Sequence, residues 1–305
     1  MRLVLLGSGA FALPTFRQLA NEHEVALVVS QPDRPAGRHR TLTPTPVAQW
    51  AIKADLPLLR VDDINSKDVS AQMRSQDADA WVVIAFGQKL SEDLLSSQFA
   101  INLHGSLLPR WRGASPIHHA ILAGDTESGV SVITLASHMD GGDILGSQAV
   151  PIKPGTTAGQ LHDELSLLGP ALVIDVLQSF QSGTLKPTVQ DPSAVTQAAK
   201  LSRRDARLCL NEAAAAIRQI NGLSPWPGVD AIIDGQRVRL ASAMPCSEAG
   251  IPGMVSLSGC VGCQSGSFSL VNIQPPGKRV MTFSEWANGR RLEQPVTFEV
   301  DEASP

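Results

Sequence analysis

The first 180 residues alternate short apolar runs with segments of helical period, and this alternation constrains the fold more than any other feature of the chain. RLVLLG (2–7), VALVVS (25–30), DAWVVIAFG (79–87), QFAINLH (98–104) and GVSVITLAS (129–137) read as strands. TFRQLANE (15–22), VAQWAIKADL (47–56), SEDLLSS (91–97), PIHHAILAG (116–124) and one long stretch, 159–180, read as helices. Strands that are apolar throughout are those buried on both faces, and helices between them supply the cover. The pattern predicts a doubly wound, Rossmann-like α/β domain with a largely parallel sheet.

The pattern stops after residue 180. QSGTLKPTVQDPSAVTQAAKLS (181–202) is poor in large apolar side chains and reads as linker. LCLNEAAAAIRQINGL (208–223) is helical, and beyond it come short strands spaced by glycines: MVSLS, SFSLVNIQ, PVTFEV and a hairpin turning at Asp234-Gly235. Five or so such strands suggest a small, OB-like β-barrel, an architecture often used to bind oligonucleotides. A chain of 305 residues is also long for one core. Three parts follow: residues 1–190 as the α/β domain, 191–206 as linker and 207–305 as the barrel domain.

No apolar run approaches the ~18 residues that cross a bilayer, and the start lacks a signal-peptide pattern. The expectation is a cytoplasmic protein with no membrane partner. The net charge of -4 argues against a general polyanion binder, and residues 191–305 carry equal numbers of basic and acidic side chains. Any nucleic-acid contact must rest on local clusters. Four cysteines in so long a chain do not form a disulfide framework. Cys260 and Cys263 make a lone C-x-x-C, half of a zinc site or a redox pair at most, with strand or turn residues as the default.

Two glycine or proline-rich loops compete for a functional role. GSGAFA (7–12), between a strand and a helix, matches the G-x-G-x-x-G/A turn of dinucleotide sites, with Asp33 as the candidate ribose ligand. Asp33, however, enters QPDRPAGRHRTLTPTP (31–46), a loop of prolines and arginines unsuited to a ribose, so the glycines are better explained as a tight turn. That loop exceeds a minimal connection, and Arg34, Arg38, His39 and Arg40 could meet phosphates from it.

The densest mixture of polar types is INLHGSLLPRWRGASPIHH (101–119). On a strand, Asn102 and His104 project to one side, at the carboxyl end where open α/β sheets hold ligands. An Asn amide can donate to an oxyanion, and a His can move a proton near neutral pH. Asp140, in SHMDGGDIL, also follows a strand, which places it at a carboxyl end on the same edge. A carboxylate there would orient the imidazole and favour its charged form. The adjacent His118 and His119 point about 100° apart on a helix and suit one metal ion poorly; no metal is expected.

With these residues in place, NLHGSLLPRWRGASPI (102–117) and MDGGDIL (139–145) resemble the signatures of the folate-dependent formyltransferases. QPDRPAGR (31–38), TPTP (43–46), SPWPG (224–228) and PGKRVM (276–281) narrow the resemblance to the branch that acts on methionyl-tRNA. The likeness spans almost the whole chain. It implies 10-formyltetrahydrofolate as donor, the α-amine of initiator methionyl-tRNA as acceptor, and a monomer. It also implies catalytic roles for Asn102, His104 and Asp140 and a folate pocket near Phe86, Gly87, Leu90, Ser106, Leu107, Leu108 and Pro109. Arg34, Arg38 and Arg40 would wedge at the acceptor-stem end, and Lys200, Arg203, Arg204 and Arg207 would grip the stem. Arg237, Arg239, Lys278, Arg279, Arg290 and Arg291 would join them if they share a face.

The chain departs from that family pattern at Met139-Asp140-Gly141-Gly142, where Leu-Asp-Thr-Gly is usual. The hydroxyl beside Asp140 is missing, which raises the question of what orients that carboxylate.

Overall fold

The computed structural model describes residues 1–37, 41–96 and 98–300, in two compact units. One unit comprises Met1–Gly113, Gly129–Val150 and His162–Gln197; the other comprises Ala114–Ser128, Pro151–Leu161 and Ala198–Pro305.

The first unit is built on a seven-stranded sheet: β1 (Arg2–Gly7), β2 (Glu24–Ser30), β3 (Leu58–Arg60), β4 (Ala80–Ile84), β5 (Ala100–His104), β6 (Glu127–Thr134) and β7 (Ile144–Pro151). Their order across the sheet is β3-β2-β1-β4-β5-β6-β7. The pairs β1/β2, β2/β3, β1/β4 and β4/β5 are parallel. Chain order therefore reverses between β1 and β4, the switch point at which such sheets hold ligands beyond their carboxyl ends. Leu3, Val4, Leu5 and Leu6 are all fully buried, as a central parallel strand covered on both faces requires.

Gly7 ends β1 where no side chain fits. A Cβ there would lie 2.6 Å from the Phe16 ring and 2.9 Å from the Ile84 carbonyl oxygen. The first glycine of the GSGAFA turn is thus explained by close packing of strand and helix.

Three sequence expectations are corrected. The long helix over 159–180 is two helices, Ala158–Ser166 and Gly169–Gln181. Pro170 enforces the break, because it has no N–H to donate and its ring clashes with the carbonyl one turn earlier. The loop 31–46 is partly structured, with Arg34 paired to Thr43 and Pro35 to Leu42 in a short antiparallel ribbon; Arg38, His39 and Arg40 lie outside the described residues. Finally, β6 runs antiparallel to β5, so its carboxyl end, Thr134, lies beside Ile101 rather than at the edge that carries His104.

The second unit contains the barrel. Its strands follow one another in the ring Val229–Ile233, Val296–Val300, Met254–Val255, Cys260–Gly262, Ser267–Gln274 and Gln236–Pro245, which pairs back to Val229–Ile233. Six strands close the ring, one more than the sequence pattern suggested. Alternate residues Val229, Ala231 and Ile233 are buried, giving one inward face. Phe268 and Phe298 meet edge to face inside it, 6.3 Å between ring centroids. The Asp234-Gly235 hairpin is as expected: Ile233 pairs with Gln236, and both turn residues have positive φ (50° and 68°), as a two-residue primed turn demands.

Two stability outcomes are expected. Phe268→Ala, which empties the barrel core, should cost about 3–5 kcal/mol, read from the urea transition of the barrel. At Gly142 a Cβ would lie 1.7 Å from the Thr134 carbonyl oxygen, whereas at Gly141 its nearest contact is 3.1 Å away. Gly142→Ala should therefore lose about 1–3 kcal/mol in urea unfolding and Gly141→Ala clearly less.

Candidate active site

β5 delivers Asn102 and His104 as the sequence implied, two residues apart at the end of the strand. His104 is only 6% exposed, and its imidazole is hydrogen-bonded at one nitrogen and faces a carboxylate at the other. Nε2 lies 2.8 Å from the Trp111 carbonyl oxygen, and Nδ1 lies 3.6 Å from Asp140 Oδ2. A carbonyl can only accept, so Nε2 carries a proton and Nδ1 is the atom free to gain or lose one. Trp111 holds its carbonyl there with a positive φ of 64°, an unfavoured backbone for a bulky residue. Its N–H donates to Thr196 Oγ1 at 2.9 Å.

Asp140 reaches His104 because the 135–143 connection returns after β6 has run to the far end. Thr134 N–H donates to the Asp143 carbonyl at 3.0 Å, and Asp143 N–H donates to Thr134 Oγ1 at 2.9 Å, closing the base of that connection. The Asp140 carboxylate then touches three groups: His104 Nδ1, the Gly113 N–H at 2.8 Å and the Asn102 amide at 3.5 Å. The last distance is at the limit of a hydrogen bond, so the Asn102 amide is held loosely. Asp140 itself has a φ of 52°, a left-handed backbone that costs energy outside glycine.

Two residues of this site had no signal in the sequence reading. Gln190 falls in the segment read as linker, yet it is 5% exposed and bonds to the backbone of the Asp140 turn. Ser131 lies on β6; its hydroxyl donates to the Ser106 carbonyl at 2.8 Å and accepts from Leu108 N–H at 3.1 Å. It thereby fixes the 106–109 turn to the neighbouring strand. Ser131 is one of two buried serines on this strand, with Ser128, and nothing in the sequence sets it apart.

Of the residues expected around a folate, Phe86, Gly87 and Leu90 follow β4 at the switch point, and Ser106 to Pro109 follow β5. Phe86, Leu90, Ser106 and Leu108 are buried, so Gly87, Leu107 and Pro109 present more of the surface. The Ser106 hydroxyl is engaged with the Arg110 carbonyl at 2.6 Å. The GSGAFA turn spends its amides internally: Ser8 and Gly9 N–H both donate to the Ala85 carbonyl, at 3.2 and 3.3 Å. Asp33 pairs with Arg60 at 3.0 Å. Neither feature is arranged for a dinucleotide.

Among the basic residues, Lys200, Arg203, Arg204 and Arg207 are exposed in the second unit, and Arg34 is exposed in the first. Arg34 donates to Gln31 Oε1 at 2.8 Å. Three barrel arginines are engaged with carboxylates: Arg237 and Arg239 with Asp230, Arg290 with Asp234. His119 bonds to the Ser115 carbonyl at 3.0 Å.

Among the described residues, one group has metal-ligand chemistry: Cys246, Glu248 and Cys260, whose ligand atoms lie within 4.8 Å of one another. Cys260 thus has Cys246 as its neighbour, a relation invisible in the C-x-x-C spacing. Burial, with Cys246 alongside, pushes the Cys260 thiol up to about 12, so an ion would have to displace a firmly held proton.

Comparison with known proteins identifies the family. Residues 1–177 match the formyl transferase family and residues 200–291 the formyl transferase C-terminal domain. A methionyl-tRNA formyltransferase from Roseobacter denitrificans is 38% identical over 303 residues, covering 98% of this chain and 99% of that protein. One from Xanthomonas axonopodis pv. citri is 39% identical, covering 95% and 98%. In fold, the chain is similar to the sugar 3N-formyl transferase WlaRD (TM-score 0.68, 14% identity, covering 92% of this chain and 99% of that one). It is also similar to Aquifex aeolicus HypX in complex with tetrahydrofolic acid (TM-score 0.63, 17% identity, covering 96% and 48%). Matched along nearly its whole length, with the Asn-His-Asp group assembled at the end of β5, the chain belongs to the methionyl-tRNA formyltransferase family.

Proposed function

We propose that the protein transfers the formyl group of 10-formyltetrahydrofolate to the α-amino group of methionyl initiator tRNA. The observation that carries this reading is the meeting of Asn102, His104 and Asp140 beside the 106–109 turn.

The methionyl amine, with a pKa near 8, is appreciably neutral at cellular pH. It attacks the formyl carbon, and the carbonyl oxygen takes negative charge. The Asn102 amide, loosely held by Asp140, turns to that oxyanion; a protonated His104 Nδ1 is the second donor. The Asp140 carboxylate, 3.6 Å from Nδ1, stabilises the imidazolium charge, while the Trp111 carbonyl accepts from Nε2–H and keeps the ring in place. Collapse breaks the bond from the formyl carbon to N10. The amine gives up one proton and N10 gains one, with His104 as the relay. The products are N-formylmethionyl-tRNA and tetrahydrofolate. These steps use only groups of the chain and the two substrates.

We assign the formyl-transfer chemistry to the first unit and the tRNA grip to the second, where Lys200, Arg203, Arg204 and Arg207 are exposed. The side chains of Arg34, Arg38 and Arg40 would contact the acceptor end. The protein is taken to work as a monomer in the cytoplasm; among the described residues no helix is long and apolar enough to cross a membrane.

The test supplies 10-formyltetrahydrofolate with charged initiator tRNA, charged elongator methionine tRNA or a nucleotide amino sugar, and follows the formyl group. Transfer to initiator tRNA alone is expected; transfer to the sugar, or equally to both tRNAs, sinks the substrate assignment. His104→Ala should lower kcat about 10²–10⁴-fold with tRNA affinity nearly unchanged in a filter-binding measurement. Replacing Lys200, Arg203 and Arg204 together by alanine should weaken tRNA binding and flatten its dependence on salt, because phosphate contacts dominate that dependence. An unchanged salt slope removes these three from the interface.

A further inference from the structure

We propose that Gln190 is a positioning residue for the formyl transfer, acting by holding Asp140 in its working conformation. The proposal rests on the assignment of Asp140 to the chemistry made above.

The Gln190 amide is saturated and its orientation is unambiguous. Nε2 donates to the Asp140 carbonyl at 2.8 Å and to the Gly142 carbonyl at 2.7 Å. Oε1 accepts from Arg112 Nε at 3.0 Å and from Arg112 Nη2 at 2.8 Å. Turning the amide over would set its oxygen against two carbonyls and its NH2 against two guanidinium donors, replacing four bonds with four repulsions.

Both ends of the Asp140-Gly141-Gly142 turn are therefore tied to a single side chain, and Asp140 is the residue with the left-handed φ. The same amide anchors Arg112, whose neighbour Gly113 gives its N–H to the Asp140 carboxylate. Gln190 thus fixes Asp140 twice, through its backbone and through the segment that binds its carboxylate. A group placed about 1 Å wrong can cost 10²-fold in rate. Gly141 brings no side chain to this turn, and the Gln190 clamp supplies the restraint.

The experiment measures kcat and both KM values for wild type, Gln190→Met, Gln190→Glu, Asp140→Asn and the double variant Asp140→Asn/Gln190→Met. Met keeps the length and burial without hydrogen bonds; Glu keeps the acceptor for Arg112 but loses both N–H donors. Both single variants at 190 should lose kcat about 10²-fold, with KM for folate donor and tRNA within about three-fold. The double variant should be no slower than Asp140→Asn alone, because the clamp has nothing left to position.

Near-normal kcat in Gln190→Met would show that only filled space matters and would overturn the proposal. Near-normal kcat in Gln190→Glu would reduce the role to anchoring Arg112 and would overturn it as well. So would losses that multiply in the double variant. Full activity in Asp140→Asn would instead defeat the assignment of Asp140, a result distinguishable because that variant retains Gln190.

Discussion

Everything at the end of β5 depends on how the Asp140 carboxylate is held. One oxygen faces His104 Nδ1 and the Gly113 N–H, and the other meets the Asn102 amide. Asp140 comes from a connection that must reverse direction after an antiparallel strand, and it sits in a left-handed backbone conformation that is uncommon outside glycine. Such a conformation persists only where neighbours over-determine it. Here the neighbours are the Thr134 to Asp143 bonds at the base, the Gln190 amide across the turn and the bare Cα of Gly142 against the Thr134 carbonyl.

His104 is restrained by the opposite means. Its Nε2 is committed to the Trp111 carbonyl, which is itself placed by a left-handed residue tied to Thr196. The imidazole therefore cannot exchange its two nitrogens without breaking a bond in a buried place. Nδ1, the nitrogen that Asp140 faces, is the one left to exchange a proton. Two residues with left-handed backbones, one on each side of a ring, leave Nδ1 as the nitrogen without a hydrogen-bond commitment.

Much of this was legible in the chain because it follows from local rules. Apolar runs such as RLVLLG identify buried parallel strands, and the i, i+2 spacing of Asn102 and His104 places both at one strand end. The Asp234-Gly235 pair specifies its hairpin through the φ values it alone tolerates easily. What was not legible is non-local. The antiparallel direction of β6 is set by pairing with β5 rather than by its own pattern, so Asp140 was expected at the right place for the wrong reason. Gln190 looked like part of a polar linker because burial of one amide leaves no periodicity, and its three partner residues lie far away in sequence. The split at Leu167-Leu168 follows from Pro170, a breaker that the single helical reading of 159–180 passed over.

The barrel's closure has a consequence for how it could engage any partner. Because Ser267–Gln274 pairs with Gln236–Pro245 as well as with Cys260–Gly262, the ring consumes the backbone donors and acceptors that an open sheet would leave along its rim. Strand addition, the cheapest way for a β-domain to capture another chain, is closed to these strands. A partner meeting these strands would have to be engaged by side chains on the outer wall, through charge and shape rather than through main-chain pairing.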